Sequence, residues 1–365
     1  MVVTDTAATN MAATVTVSGR PTVSVIVPAR NEEACLEACL QSLVAQSGVD
    51  FEVIVVDDHS TDRTREIASS FSNLPKQVQV QVIEAGPLPA GWTGKNNAVA
   101  AGARTGRGEW LLFTDADTIH LPGSLAGSLA EAKRHGAALL SYSPEQIVES
   151  FSEKAVMPVI FAELAASFRP SQVSDPNSPA AAANGQYLLI TREAYDAVGG
   201  HAAIAASLLE DVALARAVKR SGRKIFFRYG GNAVRTRMYR SFAQLREGWT
   251  KNLALLFPSP VRLAALRALE FVLIVASIAI SLTAGLRGHT RPAVIAGMLA
   301  VIVYAIFLAR IRRAHFSWEA NLLALLGLPL FSYLLLLSAR AHANGSVPWK
   351  GREYSEEGCL LATGH

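Results

Sequence analysis

Three apolar stretches in the last third of the chain, Leu269–Leu286, Pro292–Ala309 and Ala320–Ala339, constrain its fold more than any other feature. Each is close to the roughly twenty residues that a bilayer-spanning helix needs. The last two carry no Asp, Glu, Lys or Arg. Three such runs with short basic connections read as membrane helices. The overall 50% hydrophobic content and mean hydropathy of +0.26 agree, because the excess sits after residue 265. The expected division is a loose tail over 1–20, a soluble domain over 21–258, a membrane region over 259–340 and a tail over 341–365. The first twenty residues lack the charged start and long apolar core of a signal peptide, so the soluble domain is expected to stay in the cytosol. Three crossings then place the Arg310-Ile311-Arg312-Arg313 loop inside and the tail outside, a multi-pass arrangement in the inner membrane. The lack of charge within the last two spans argues against an ion or proton pathway.

Net charge is only +4, but eleven Lys and Arg against one acid, Glu247, lie between Arg216 and Lys251. Such a run beside a membrane region suits anionic headgroups or a phosphate-bearing substrate, and no nucleic-acid partner is expected. Within it, residues 241–256 place Phe242, Leu245, Trp249, Leu253 and Leu256 in helical register, as an interfacial helix lying on the bilayer would. The three cysteines, Cys35, Cys39 and Cys359, form neither a disulfide framework nor a zinc spacing.

The soluble part alternates strand-like and helix-like segments. Val23–Val27, Phe51–Val56, Val78–Ile83 and Trp110–Thr114 are β-branched or apolar runs, and helical spacing follows at Glu32–Gln46, from Ser60 to about Ser70, and at Lys95–Arg104. Alternation of this kind predicts an α/β fold, a mostly parallel sheet with helices on both faces. Ligands in such sheets sit beyond the carboxyl ends of the strands. The second half is less regular: strands are expected at Ala137–Ser141 and Gln186–Ile190, helices at Phe151–Phe168 and Leu208–Arg220, and a loop at Pro170–Pro179.

The candidate chemistry gathers at those strand ends. In Thr114-Asp115-Ala116-Asp117, strand alternation turns both carboxylates to one side, where hard oxygens suit Mg2+ or Mn2+ that also holds a diphosphate. Pro28-Ala29-Arg30-Asn31-Glu32 joins a strand to a helix; Arg30 can meet phosphate and Glu32 a ribose or base, although Asn31 and Glu32 also suit a helix start. Asp58, after the second strand, can accept from a uracil or guanine ring nitrogen or cap the next helix. Gly91-Trp92-Thr93-Gly94-Lys95 is a Gly-punctuated loop whose Lys95 can neutralise a diphosphate, though the spacing is not that of a Walker A loop. Glu210 and Asp211 open a helix, where one can deprotonate an acceptor hydroxyl or both can simply complement the helix dipole. Trp249 is either a platform for sugar or acceptor or an interfacial anchor.

Taken in order, Val25-Ile26-Val27-Pro28-Ala29-Arg30-Asn31-Glu32, Val55-Val56-Asp57-Asp58-His59-Ser60-Thr61-Asp62, Thr114-Asp115-Ala116-Asp117 and Leu209-Glu210-Asp211 resemble the family 2 inverting glycosyltransferases with a GT-A, Rossmann-like fold. A narrower resemblance is to membrane-bound bacterial enzymes that glycosylate carotenoid acids or accompany hopanoid synthesis. It rests on Gly91-Trp92-Thr93-Gly94-Lys95, Thr114-Asp115-Ala116-Asp117, Glu247-Gly248-Trp249-Thr250-Lys251-Asn252 and Trp349-Lys350-Gly351-Arg352. The resemblance implies a nucleobase on Asp58 with Arg30 and Glu32 nearby, ribose or diphosphate at Asp115, the metal at Asp117, and Asp211 as general base beside Glu210. It implies transfer of one sugar, with inversion, from a UDP- or GDP-type donor to a lipid acceptor of isoprenoid type. The Gln-x-x-Arg-Trp pattern of processive polysaccharide synthases is broken here, since Gln244, Arg246 and Trp249 are spaced differently; a synthase is the enzyme alternative and a non-catalytic nucleotide-binding scaffold the other. Ile119 stands where dolichyl-phosphate mannose synthases have a Gln, leaving His120 as a candidate third metal ligand.

Overall fold

The computed structural model describes residues 20–72, 78–345, 347–349 and 352–354. The expected amino-terminal tail, apart from Arg20, and much of 341–365, Cys359 included, lie outside the described residues. The first third alternates strand and helix: β1 (Val23–Ala29), α1 (Leu36–Val44), β2 (Phe51–Asp57), α2 (Thr64–Ser72), β3 (Gln79–Glu84), α3 (Gly94–Thr105) and β4 (Trp110–Phe113). Next come β5 (Thr118–His120), α4 (Ser124–His135), β6 (Leu139–Ser143), β7 (Glu145–Gln146), α5 (Phe151–Ser167), α6 (Pro170–Ser174), β8 (Leu188–Thr191), α7 (Arg192–Ala197), α8 (Glu210–Arg220), β9 (Ile225–Tyr229) and β10 (Val234–Thr236). The remainder is α9 (Phe242–Leu256), α10 (Pro260–Leu286), α11 (Thr290–Ile311), α12 (Trp318–Ala343), β11 (Val347–Trp349) and β12 (Arg352–Tyr354).

Seven strands form the main sheet in the order β3-β2-β1-β4-β8-β6-β9, with β8 antiparallel to both its neighbours and every other pairing parallel. The β-branched runs are buried on both faces, as a doubly covered sheet requires. Val25, Val27, Val53 and Val55 face Leu36 and Leu40 of α1. Ile26, Ile54 and Val56 face Ala98 and Val99 of α3. The segment expected as a loop at Pro170–Pro179 contains α6, begun by a proline that has no amide hydrogen to lose at a first helical position. At the second helix Asp62, not Ser60, supplies the start: its Oδ1 accepts from the Thr64 amide at 3.0 Å.

A third layer joins the sheet domain to the apolar helices. Three helices, Pro260–Leu286, Thr290–Ala314 and Trp318–Ala343, are long and apolar enough to cross a membrane. Helices α10 and α11 pair as a hairpin and turn Val272, Leu282, Val294, Ile295, Met298 and Val301 outward. That much contiguous apolar surface marks a side that meets a membrane or another protein. At the base of the hairpin, ion pairs tie α10 and α11 to α5: Arg267 to Glu163 at 2.9 Å and to Glu270 at 2.9 Å, and Arg310 to Glu270 at 2.7 Å and to Glu163 at 3.4 Å.

Helix α12 behaves differently. Near its start Glu319 pairs with Lys154 of α5 at 2.7 Å. At its middle Gly327 lies against the Ala155 backbone. Near its end Ser338 donates to the Thr250 carbonyl, and His342 meets the Lys251 carbonyl at 2.9 Å. One face is thus buried on α5 and α9, while Trp318, Leu322, Leu326 and Tyr333 form an outward apolar stripe. The expected interfacial helix at 241–256 is corrected here. The Leu245, Trp249 and Leu253 stripe of α9 is buried in protein, packed with α5 and α12, instead of facing a bilayer.

The hairpin β11–β12 then returns to the sheet domain. Strand β11 packs on α9, and Arg352 of β12 reaches Asp58 at the end of β2. A tail on the far side of the membrane, as three crossings require, is incompatible with that contact.

Candidate active site

The site forms where β1, β2 and β4 end. The chain leaves β1 with Asn31 in a left-handed conformation (φ 54°), which an amide side chain tolerates because it bonds locally: Asn31 Oδ1 accepts from the Thr61 amide at 2.8 Å. This clasp sets Arg30 over the end of β2, where Nη1 donates to the Asp58 carbonyl at 2.7 Å. Glu32 turns toward α1, its carboxylate accepting from Cys35 Sγ at 3.1 Å and its amide donating to Thr64 Oγ1 at 2.7 Å.

Helix α3 enters the site with its first turn. Thr93 caps it, accepting from the Asn96 amide at 3.2 Å. The Asn96 side chain donates to the Ala205 carbonyl at 2.8 Å and so pins the helix to the turn that leads into α8. Lys95, one position earlier, is thereby aimed between two acids. Its Nζ lies 2.8 Å from Asp115 Oδ1 and 2.7 Å from Glu210 Oε1. Asp211 stands beside this bridge, with Oδ2 accepting from the Gly185 amide at 2.8 Å. A Cβ at Gly185 would come 3.2 Å from Lys95 Nζ and 3.3 Å from Glu210 Oε1, so the chain there presents backbone at close quarters. Lys95, Asp115, Gly185, His201, Glu210 and Asp211 line one small pocket.

Electrostatics separates the two acids on α8. Burial, then the charge of Glu210, pushes the Asp211 carboxyl up to about 6. Burial alone would raise Glu210 too, but the Lys95 and Lys251 ammoniums outweigh it and hold that carboxyl below its ordinary value. Neighbouring carboxylates with opposed shifts are the pattern expected of a proton acceptor and a fixed charge. Lys251 is pushed down by burial, with these acids acting against the shift. His201 is lowered to about 4 by burial and stays a neutral wall, its Nδ1 3.0 Å from the Tyr195 hydroxyl.

Asp115 and Asp117 are half-buried, but they do not share a strand. Strand β4 stops at Phe113, and the Asp115 carbonyl accepts from the Thr118 amide at 3.2 Å, so both lie in a tight turn before β5. The alternation argument therefore fails: a turn, not a pleat, sets their directions. Among the described residues no three His, Cys, Asp or Glu side chains converge as a ligand set. Two half-exposed carboxylates still fit Mg2+ or Mn2+, which takes one or two protein oxygens and completes its shell with substrate phosphate and water. His120 is not a third ligand. It is 2% exposed, with Nε2 3.1 Å from Thr114 Oγ1 and its ring against Tyr187.

Trp249 is likewise corrected. It is 2% exposed, its Nε1 points at Met157 Sδ at 3.3 Å, and Phe161 and Tyr239 pack edge-on against it. It offers no platform, because the helix stripe that carries it is the seam between α5 and α9. The residues that sequence reasoning missed are Gly185, Lys251 and Arg352. Lys251 and Arg352 fall in motifs noted above, without a role; Gly185 acts through its backbone amide, which leaves no signature beyond Asn184-Gly185-Gln186.

Residues 24–199 match the Glycosyl transferase family 2 profile. This chain carries a family 2 glycosyltransferase domain. Over 342 residues, 91% of this chain and 88% of its relative, the sequence is 28% identical to the 4,4'-diaponeurosporenoate glycosyltransferase of Staphylococcus aureus (strain USA300). The transferase also resembles in fold a mannosyltransferase of Pyrobaculum calidifontis solved with GDP-Man and Mn2+. The match has a TM-score of 0.51 at 16% identity and covers 89% of this chain and 87% of that one. The sheet is accordingly the GT-A architecture, with the Lys95 bridge between Asp115 and Glu210 at its carboxyl edge.

Proposed function

We propose that the chain is a membrane-anchored inverting glycosyltransferase that moves one sugar from a nucleotide-diphosphate sugar to a lipid acceptor. The observation that carries the reading is the Lys95 bridge between Asp115 and Glu210 with Asp211 beside it. One cation and an elevated carboxyl at a sheet edge are what a leaving diphosphate and an acceptor proton need. In this reading Asp58 receives the nucleobase, with Arg30 and Glu32 beside it, and Lys95 turns toward the diphosphate. Asp211 takes the proton of an acceptor hydroxyl; a carboxylate acceptor, as in the substrate for which the staphylococcal relative is named, asks less of it. Asp115 and Asp117 would hold a divalent cation, which supplies charge neutralisation at the leaving group. The outward apolar hairpin supports an acceptor that is itself a lipid; in this reading the sheet domain lies on the cytosolic face of the inner membrane.

The test is turnover of labelled UDP- and GDP-sugars by the protein in detergent or nanodiscs, with and without Mg2+ or Mn2+. Mass spectrometry of lipid extracts then identifies the product. One added sugar is expected, with loss of turnover in chelator and recovery on adding the ion. Absence of metal-dependent turnover with every common donor sinks the reading, and a ladder of long products points to the synthase alternative.

A further inference from the structure

The carboxylate assigned to the nucleobase is already held by the carboxy-terminal hairpin. Arg352 Nη1 donates to Asp58 Oδ2 at 2.6 Å and Nη2 to Oδ1 at 3.0 Å, a bidentate pair that occupies both oxygens. The guanidinium lies where a side chain on Gly94 would stand: a Cβ there would sit 2.7 Å from Asp58 Oδ2 and closer still to Arg352. Gly94 opens α3, and the next residue is Lys95. Arg352 is thus packed against both the nucleobase carboxylate and the first turn of α3, one residue from Lys95. The hairpin that delivers it is anchored on the same helix that faces the acids, with Lys251 Nζ 4.7 Å from the centre of the Trp349 ring.

A nucleobase N–H reaching Asp58 competes with these hydrogen bonds for the same two oxygens. The displaced guanidinium then needs a new anion within side-chain reach, and the diphosphate of the same nucleotide is the anion that the pocket is built to receive. Resting on the function proposed above, we propose that Arg352 is a donor-binding residue that exchanges partners, leaving Asp58 for the diphosphate as the nucleobase takes its place. The hairpin is then part of the donor site, and nucleotide affinity depends on both halves of the exchange. A merely structural ion pair has no such split dependence.

The split can be measured on the full-length protein by titrating UDP, GDP and the matching nucleosides, uridine and guanosine, into wild type, Arg352→Ala and Arg352→Lys. For whichever nucleotide wild type binds, Arg352→Ala should weaken the diphosphate by about tenfold or more while leaving the nucleoside unchanged or tighter, since Asp58 is freed. Arg352→Lys should recover part of the loss, having charge without the planar fork. The ratio of diphosphate to nucleoside affinity is the readout, and it is insensitive to a fraction of misfolded protein. An unchanged ratio, with both ligands weakened alike, makes the pair structural and overturns the inference. Both tightened alike makes Arg352 only a competitor for Asp58 and also overturns it. If wild type binds neither nucleotide, the donor reading itself has failed, and the inference falls with it.

Discussion

At the scale of the residue, the chemistry turns on how Lys95 apportions charge among the acids. It lowers Glu210 and opposes the rise of Asp211, so Asp211 alone of the two keeps a raised value, set by burial and by the charge of Glu210. If Asp211 is the base, it is protonated and idle below about 6, and activity falls as pH drops through that value. A pH profile of kcat/KM should show that acid limb. Asp211→Asn should lose about 10²- to 10⁴-fold in turnover with donor binding retained. Lys95→Met should move the limb to higher pH, because Asp211 then feels Glu210 without the opposing cation; a limb left in place would detach Asp211 from the reaction. These residues were legible in the sequence as types at strand and helix ends. Their pairing was not, because it depends on Asn96 holding the first turn of α3 to the Ala205 carbonyl, a contact across 109 positions.

At the scale of the element, α5, α9 and α12 share one apolar seam centred on Trp249. Truncating a fully buried indole costs about 3–5 kcal/mol. Trp249→Ala should therefore lower the melting temperature sharply, whereas Trp249→Phe should keep most stability and full donor affinity; a Phe variant with intact stability but no acceptor transfer would restore the platform role. Gly327 is the close approach of α12 to α5, where a Cβ would fall 1.9 Å from the Ala155 carbonyl oxygen. Gly327→Ala should force the helices apart and destabilise the protein in a thermal melt. Periodicity found these helices and the β1, β2 and β4 strands, since burial on a sheet or a helix stripe is written in local spacing. It misassigned what α9 packs against, because an apolar stripe looks the same whether bilayer or protein covers it.

At the scale of the molecule, the return of the tail to Asp58 fixes a parity. The sheet domain and the β11–β12 hairpin touch each other, so the number of complete crossings between them is expected to be even. We expect α10 and α11 to supply two, and α12, held to α5 and α9 from Glu319 to His342, to lie along the domain with one apolar stripe outward. We expect a cysteine at His289 to be labelled only from the face opposite the sheet domain and one at Asn344 only from the same face, in a Cys359→Ser background; opposite-face labelling of Asn344 restores three crossings. Hydropathy counts candidate spans but carries no record of which helix another domain has claimed. The ionic knot at the hairpin base bears on how the protein is made. Arg267 has part of its counter-charge, and Arg310 likewise, on Glu163, which precedes Arg267 by 104 positions. A nascent hairpin released beside an unfolded upstream chain would carry two guanidiniums with one acid between them at the edge of the lipid. The upstream fold therefore completes the charge balance at the base of the hairpin, and Glu163→Ala should lower the yield of membrane-inserted protein, read by carbonate extraction.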